Sequence, residues 1–292
     1  MKNPNIKWIY LLILSIIWGS SFILIKKSLL GLTPYQLGAI RTIFTGIILL
    51  SVGFYHLKNI PKSKLKWLLL SGLLGSFFPA FFFAIAETEI DSAVASILNS
   101  LVPLNTIILG FAVFKIASTK RQVVGVIIGF IGTAILILKG SELNPNQNYL
   151  YAGFVIASTL MYAANVNIIK RYLQDVKPLA IAAGNYVFII VPALVVLIFS
   201  DFFSTKRLNH PDLLKSLGFV AILSIFGTAI AKVVFNKLVQ ISTPVFASSV
   251  TYIMPIIALI WGILDGESFS IVQGLAATLI LVGVYLSHKR KT

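Results

Sequence analysis

Ten apolar runs, separated by short polar connections, leave this chain few folds to choose from. A membrane-spanning helix needs roughly 20 apolar residues at about 1.5 Å rise each. The runs at approximately 8–25, 34–55, 67–86, 92–114, 122–138, 149–169, 178–200, 213–235, 244–264 and 269–287 meet that requirement. Of the 292 residues, 58% are apolar and 11% charged, with a mean hydropathy of +0.93. That is too little polar surface for a soluble domain. The expected fold class is an all-α integral membrane protein with ten transmembrane helices. Lys2 and Lys7 precede the first run as in a signal peptide, but Trp8 to Ile25 is too long for a signal-peptide core and lacks an Ala-x-Ala pattern. It reads as a retained span.

Charge gives orientation rather than a nucleic-acid partner. The formal net charge is +15, yet the basic residues sit at run ends instead of gathering on a soluble face. With the N-terminus inside, sixteen Lys and Arg flank the runs on the cytoplasmic side and six on the other. The bias predicts cytoplasmic N- and C-termini in a multi-pass protein of the cell inner membrane, with anionic headgroups as partners of its basic ends. The chain has no Cys, and His56, His210 and His288 are scattered. No metal or cofactor site is expected. His-Glu-x-x-His, Gly-x-Ser-x-Gly, Gly-x-Gly-Asp and P-loop patterns are absent, and all nine acidic residues fall at run ends or in connections. The sequence therefore reads as a non-enzyme. Without a titratable acid near mid-membrane, facilitated diffusion or exchange is expected, with Glu87 the one acid placed for proton coupling.

The chain also repeats itself. A shift of 152 sets Pro103 on Pro255, Ala95 on Ala247, Ser96 on Ser248, Asn99 on Thr251 and Gly75 on Gly227. A shift of 144 sets Lys26-Lys27 on Lys170-Arg171, Pro34 on Pro178, Trp18 on Tyr162, Ser21 on Asn165 and Arg41 on Asn185. The chain thus divides into two copies of five spans, residues 1–140 and 141–292. Five is odd, so the second copy enters from the opposite face. Such inverted-topology repeats serve alternating access to a site at their interface. Pro103 and Pro255 each free a backbone carbonyl and predict a kink there.

Charges within runs are the sharpest residue-level signal. Arg41 lies about two turns, roughly 10 Å, inside the second run. It needs a water-filled cavity or a partner, and a substrate carboxylate suits its bidentate fork as well as helix carbonyls do. Lys232 lies near the end of the eighth run, where snorkelling to the interface is the expectation. The candidate substrate-binding set is Trp18, Ser21, Arg41, Asn99, Tyr162, Asn165, Asn185 and Thr251. Trp18 and Tyr162 would wall the site, while Arg41 and Asn185 would orient the substrate. Gly125, Gly129, Gly132, Gly274 and Gly283 suit close helix packing, within one chain or between two.

The sequence resembles the drug/metabolite transporter superfamily, and within it the EamA family. The likeness rests on Trp18-Gly19-Ser20-Ser21-Phe22, Arg41, Ala95-Ser96 with Pro103, Ala247-Ser248 with Pro255, Gly266-Glu267, and Gly283-Val284-Tyr285-Leu286. Two positions depart from the family pattern. Phe114-Lys115 replaces the Gly-Glu pair expected in the first half, and Tyr162-Ala163 replaces Trp-Gly. The resemblance implies a secondary carrier that moves a small organic metabolite, an amino acid or related compound in the export direction, as a monomer or homodimer. The alternative is a passive pore or a non-transporting membrane scaffold. A pore needs a continuous polar stripe, whereas these polar residues cluster between bulky Phe and Ile. Reporter fusions test the orientation: a fluorescent protein that folds only in the cytoplasm should glow at either terminus, and darkness at either end would refute the assignment.

Overall fold

The computed structural model describes residues 6–114, 120–143, 146–267 and 270–288, and among them every regular element is helical. The long segments are α1 (Ile6–Ser28), α2 (Pro34–Leu57), α3 (Lys62–Ala86), α4 (Ser92–Val113), α5 (Lys120–Leu143), α6 (Tyr149–Tyr172), α7 (Pro178–Ile198), α8 (Leu213–Ile241), α9 (Pro244–Leu264) and α10 (Ile271–His288). Eight are long and apolar enough to cross a membrane. Within the described residues of α5 and α10 the apolar stretches are Val123–Leu136 and Ile271–Gly283.

Local chemistry sets the starts of the helices. Before α2, Thr33 Oγ1 accepts from Gln36 N (3.3 Å) and Gln36 Oε1 accepts from Thr33 N (3.0 Å), with Pro34 as the first helical residue. This reciprocal cap fixes where the helix begins. The middles are less regular. Helix α4 stops at Asn99 and resumes at Val102, and α9 passes through a 3₁₀ turn, Ser249–Tyr252, before resuming at Met254. Pro103 and Pro255 offer no N–H to the carbonyls of Asn99 and Thr251 four residues back, so the ladder opens there. These are breaks, a larger disruption than the kinks expected. Helices α3 and α8 each pass through a π-helical stretch, Leu73–Phe77 and Leu223–Ile230.

Small residues set the closest approaches. A Cβ at Gly283 would lie 2.5 Å from Gly129 N and 2.6 Å from Gly125 O, and one at Gly132 would lie 2.9 Å from Ala276 O. The glycines of α5 and α10 thus pack against each other within one chain. Between α2 and α7, a Cβ at Gly53 would meet Ala183 Cβ at 2.6 Å. Elsewhere α1 packs on α8 and α9, and α6 on α3 and α4. Ile47, Phe54, Val191, Ile198 and Leu275 face outward, the apolar exterior that hydrocarbon favours. Replacing Gly283 by Leu should force α5 and α10 apart and cost about 1–3 kcal/mol. Gly153→Leu, at a position with nothing within 4 Å, is the control. Thermal unfolding in detergent should show a drop of several degrees for the first and none for the second.

Candidate functional site

A central cavity of about 1010 Å³, counting its mouth, lies between α1, α2, α3, α4, α6, α7, α8 and α9. Trp18, Ser21, Arg41, Asn99, Tyr162, Asn165 and Thr251 all line it. Asn185 does not. It is fully buried between α7 and α3, where its amide nitrogen donates to the carbonyls of Leu68 (3.0 Å) and Ile181 (3.1 Å) and its oxygen lies 3.2 Å from Ser71 Oγ. The repeat places Asn185 correctly on Arg41, but its shorter side chain is consumed by the helix–helix contact.

Residues that the two sequence shifts superpose make matching contacts across the cavity. Trp18 contacts Phe235 edge-on at 5.0 Å, and its repeat partner Tyr162 lies 6.1 Å from Phe83, which the 152-residue shift sets on Phe235. The Trp18 indole donates to Gly227 O at 2.8 Å. A Cβ at Gly227 would come within 2.7 Å of Ser21 Oγ, and one at Gly75 would overlap the amide of Asn165. Glycine in each π-helical stretch is what lets α1 and α6 approach. At the helix breaks, Thr251 Oγ1 donates to Ser248 O (3.0 Å), while Asn99 Oδ1 is buried without a hydrogen-bond partner.

Two cations serve the same space. Arg41 Nε donates to Thr228 Oγ1 at 3.0 Å. Lys232 does not snorkel as expected: it is 7% exposed, lines the cavity, and its Nζ donates to Ser76 Oγ (2.6 Å) and Gly75 O (3.3 Å). Helix α8 continues to Ile241, past the end of the eighth apolar run, so Lys232 lies about nine residues, roughly 13 Å, from the helix end instead of at it. Ser76, Thr228, Tyr186 and Lys232 are among the lining residues absent from the sequence-based set. Ser76 and Thr228 superpose under the 152-residue shift, a signal that could have found them. Among the described residues, no carboxylate lines the cavity and no ion pair reaches Arg41 or Lys232. An arginine or lysine at mid-span costs about 2.5–3.5 kcal/mol on insertion scales, a cost that marks the site as a place for charge.

Different chemistry ties the two ends of the bundle. At the end where α1 finishes, Lys26 pairs with Glu267 (2.8 Å) and Asp265 (3.2 Å), and Lys27 with Asp265. Glu267 also accepts from the Ser92 and Ala93 amides (3.2 and 3.3 Å) at the start of α4. Gly266 makes this turn with φ +84°, a conformation that suits glycine. Buried Glu87 accepts from Ser92 Oγ at 2.8 Å. Burial pushes its carboxyl well above the usual range, outweighing the Ser92 bond that lowers it. At the opposite end Lys170, the repeat partner of Lys26, donates instead to the carbonyls of Ser242 (2.6 Å), Val239 and Gln240 (both 3.3 Å). Lys115, which stands where the repeat would put a glutamate, lies outside the described residues.

The sequence and the fold match known proteins. The model of the EamA-like transporter family matches residues 6–138 and again 150–288. The chain belongs to the EamA-like transporter family. Among its relatives in this family, a protein named as a transporter in Archaeoglobus fulgidus is 26% identical over 98% of this chain and 99% of its own. The inner membrane transporter YedA of Escherichia coli K12 is 27% identical over 94% and 87%. An S-adenosylmethionine/S-adenosylhomocysteine transporter of Chlamydia muridarum is 22% identical over 87% and 82%. A crystal structure superposes with a TM-score of 0.65 at 16% identity over 97% of this chain and 96% of that one. It shares the fold.

The acids at the α1 end give this EamA-family chain a pH signature. Burial raises the Asp265 carboxyl, but Lys27 and Lys26 outweigh it and hold it below its usual range. A depressed carboxyl stabilises fully above its unfolded value, about pH 3.9, and loses that contribution as pH falls through the folded one. Glu87 has the opposite sign: its contribution is present at low pH and is lost as pH rises through its raised value. Asp265→Asn should therefore lower the melting temperature at pH 7, with the gap to the parent closing as pH falls through the depressed value of the carboxyl. Glu87→Gln should gain on the parent as pH rises from 4 to 8. Parallel curves for either variant would refute the assignment.

Proposed function

We propose that the chain is a secondary carrier that moves a small organic metabolite, an amino acid or related compound in the export direction, by alternating access. In this reading it crosses the membrane ten times as two inverted five-helix repeats, residues 1–140 and 141–292, with both termini cytoplasmic. The observation that carries the reading is reciprocity across the cavity: Trp18 with Phe235 and Tyr162 with Phe83, Gly227 against Ser21 and Gly75 against Asn165. Contacts of α1 with α8 and α9 are mirrored by those of α6 with α3 and α4, as a twofold between repeats requires. The double match of the family model over 6–138 and 150–288 supports the same division.

The lining suits an amino-acid-like cargo. Arg41 offers a fork to a carboxylate, and Asn99 Oδ1 is an acceptor without a donor. Pro103 and Pro255 deny partners to the carbonyls of Asn99 and Thr251, which suits an ammonium. Trp18, Phe83, Tyr162 and Phe235 would enclose the apolar part. The named substrates of the Chlamydia muridarum relative share the carboxylate and amine of an amino acid. Proteoliposome counterflow tests the reading. Saturable exchange of an amino-acid-class cargo should fall at least tenfold in Arg41→Ala, whereas Asn185→Ala should lower thermal stability instead. Flux that never saturates would point to a pore, and full flux in Arg41→Ala would remove the proposed site.

A further inference from the structure

We infer that the cargo carries a net negative charge, gripped between Arg41 from one half and Lys232 from the other. The inference rests on the carrier reading and narrows its cargo. It starts from how the cations are held. Thr228 and Ser76 occupy equivalent places in the two halves. Arg41, from the first half, donates to Thr228 of the second, and Lys232, from the second half, donates to Ser76 of the first. The pairing is reciprocal although the residues are not: Arg41 stands over Asn185 in the repeat, and Lys232 over Ala80. The two halves thus place one cation each on matched hydroxyls by unrelated substitutions.

Both cations have capacity left. The two terminal nitrogens of the Arg41 guanidinium make no hydrogen bond among the described residues, and two of the three Lys232 ammonium donors are used. At the α1 end Asp265 and Glu267 are paired with Lys26 and Lys27, and Glu87, outside the cavity lining, accepts from Ser92 through one oxygen. Two like charges facing one partly enclosed cavity repel each other, and buried Lys232 carries a desolvation cost as well. An anion between them offsets the repulsion. A neutral zwitterion brings one carboxylate against two cations and adds an ammonium, so the balance favours a cargo with two acidic groups or one in excess: a dicarboxylate, an acidic amino acid or a phosphorylated acid. A cation such as S-adenosylmethionine meets repulsion.

The test uses the purified full chain. Thermal stabilisation is read against dicarboxylates, acidic amino acids and phosphorylated three- to five-carbon acids, each beside its amide or neutral analogue, and against S-adenosylmethionine. The best stabilisers should be anions. Lys232→Met should weaken them about tenfold or more without lowering the melting temperature of the unliganded protein, and Lys232→Arg should retain them. If Lys232→Met is not monodisperse, Ser76→Ala, which removes the hydroxyl that holds the ammonium, replaces it and should weaken anions selectively. The inference is overturned if no anion stabilises, if neutral or cationic members stabilise as well as anions, or if Lys232→Met binds anions like the parent. Counterflow separates it from the reading beneath it. Saturable exchange of a neutral compound, indifferent to Lys232→Met, keeps the carrier and defeats the charge inference. Anion stabilisation without saturable exchange does the reverse.

Discussion

Hydrocarbon offers a peptide group no hydrogen-bond partner, so a chain of this composition must satisfy its backbone within helices or against other protein atoms. Each interruption of the α-helical ladder is tolerable only where protein or a water-filled space receives the freed groups. The four largest interruptions converge here. The breaks of α4 and α9 before Pro103 and Pro255, and the π-helical stretches of α3 and α8, all border the one central cavity. Trp18 and Arg41, on the uninterrupted helices α1 and α2, donate to Gly227 and Thr228 in the π-helical stretch of α8.

Symmetry of shape does not extend to charge. Lys26 at one end is held by Glu267 and Asp265, whereas Lys170 at the other caps the last carbonyls of α8. An ion-pair cluster responds to salt and pH, while a cation on helix carbonyls responds to neither carboxylate titration nor loss of an acid. The sequence difference behind this is small: Glu267 in the second half and Lys115 in the first.

Much of this is legible in the sequence, because membrane burial writes itself into residue type. The apolar runs and the repeat need only hydropathy and spacing, and the cavity collects seven of the eight residues chosen from them. The features that escape have physical causes. Symmetry puts Asn185 at the site, yet an amide that short is satisfied by Leu68 and Ile181 before it can reach a cavity. The end of the eighth apolar run puts Lys232 near the interface, but α8 continues to Ile241 and keeps the lysine inside, and no residue pattern announces that Leu223–Ile230 is wound as a π-helix. The glycines of α5 and α10 read as contact residues, but that they meet each other rather than another copy is a tertiary fact that composition cannot carry.

Alternating access, as proposed, requires a cavity that opens to one face at a time. The chain has no cysteine, so a single Ala80→Cys in the cavity wall can be labelled with a membrane-impermeant thiol reagent from either side of sealed vesicles. The account predicts reaction from both faces, with any cargo or condition that speeds labelling from one side slowing it from the other. Labelling confined to one face, or rates that rise together on both, would contradict it.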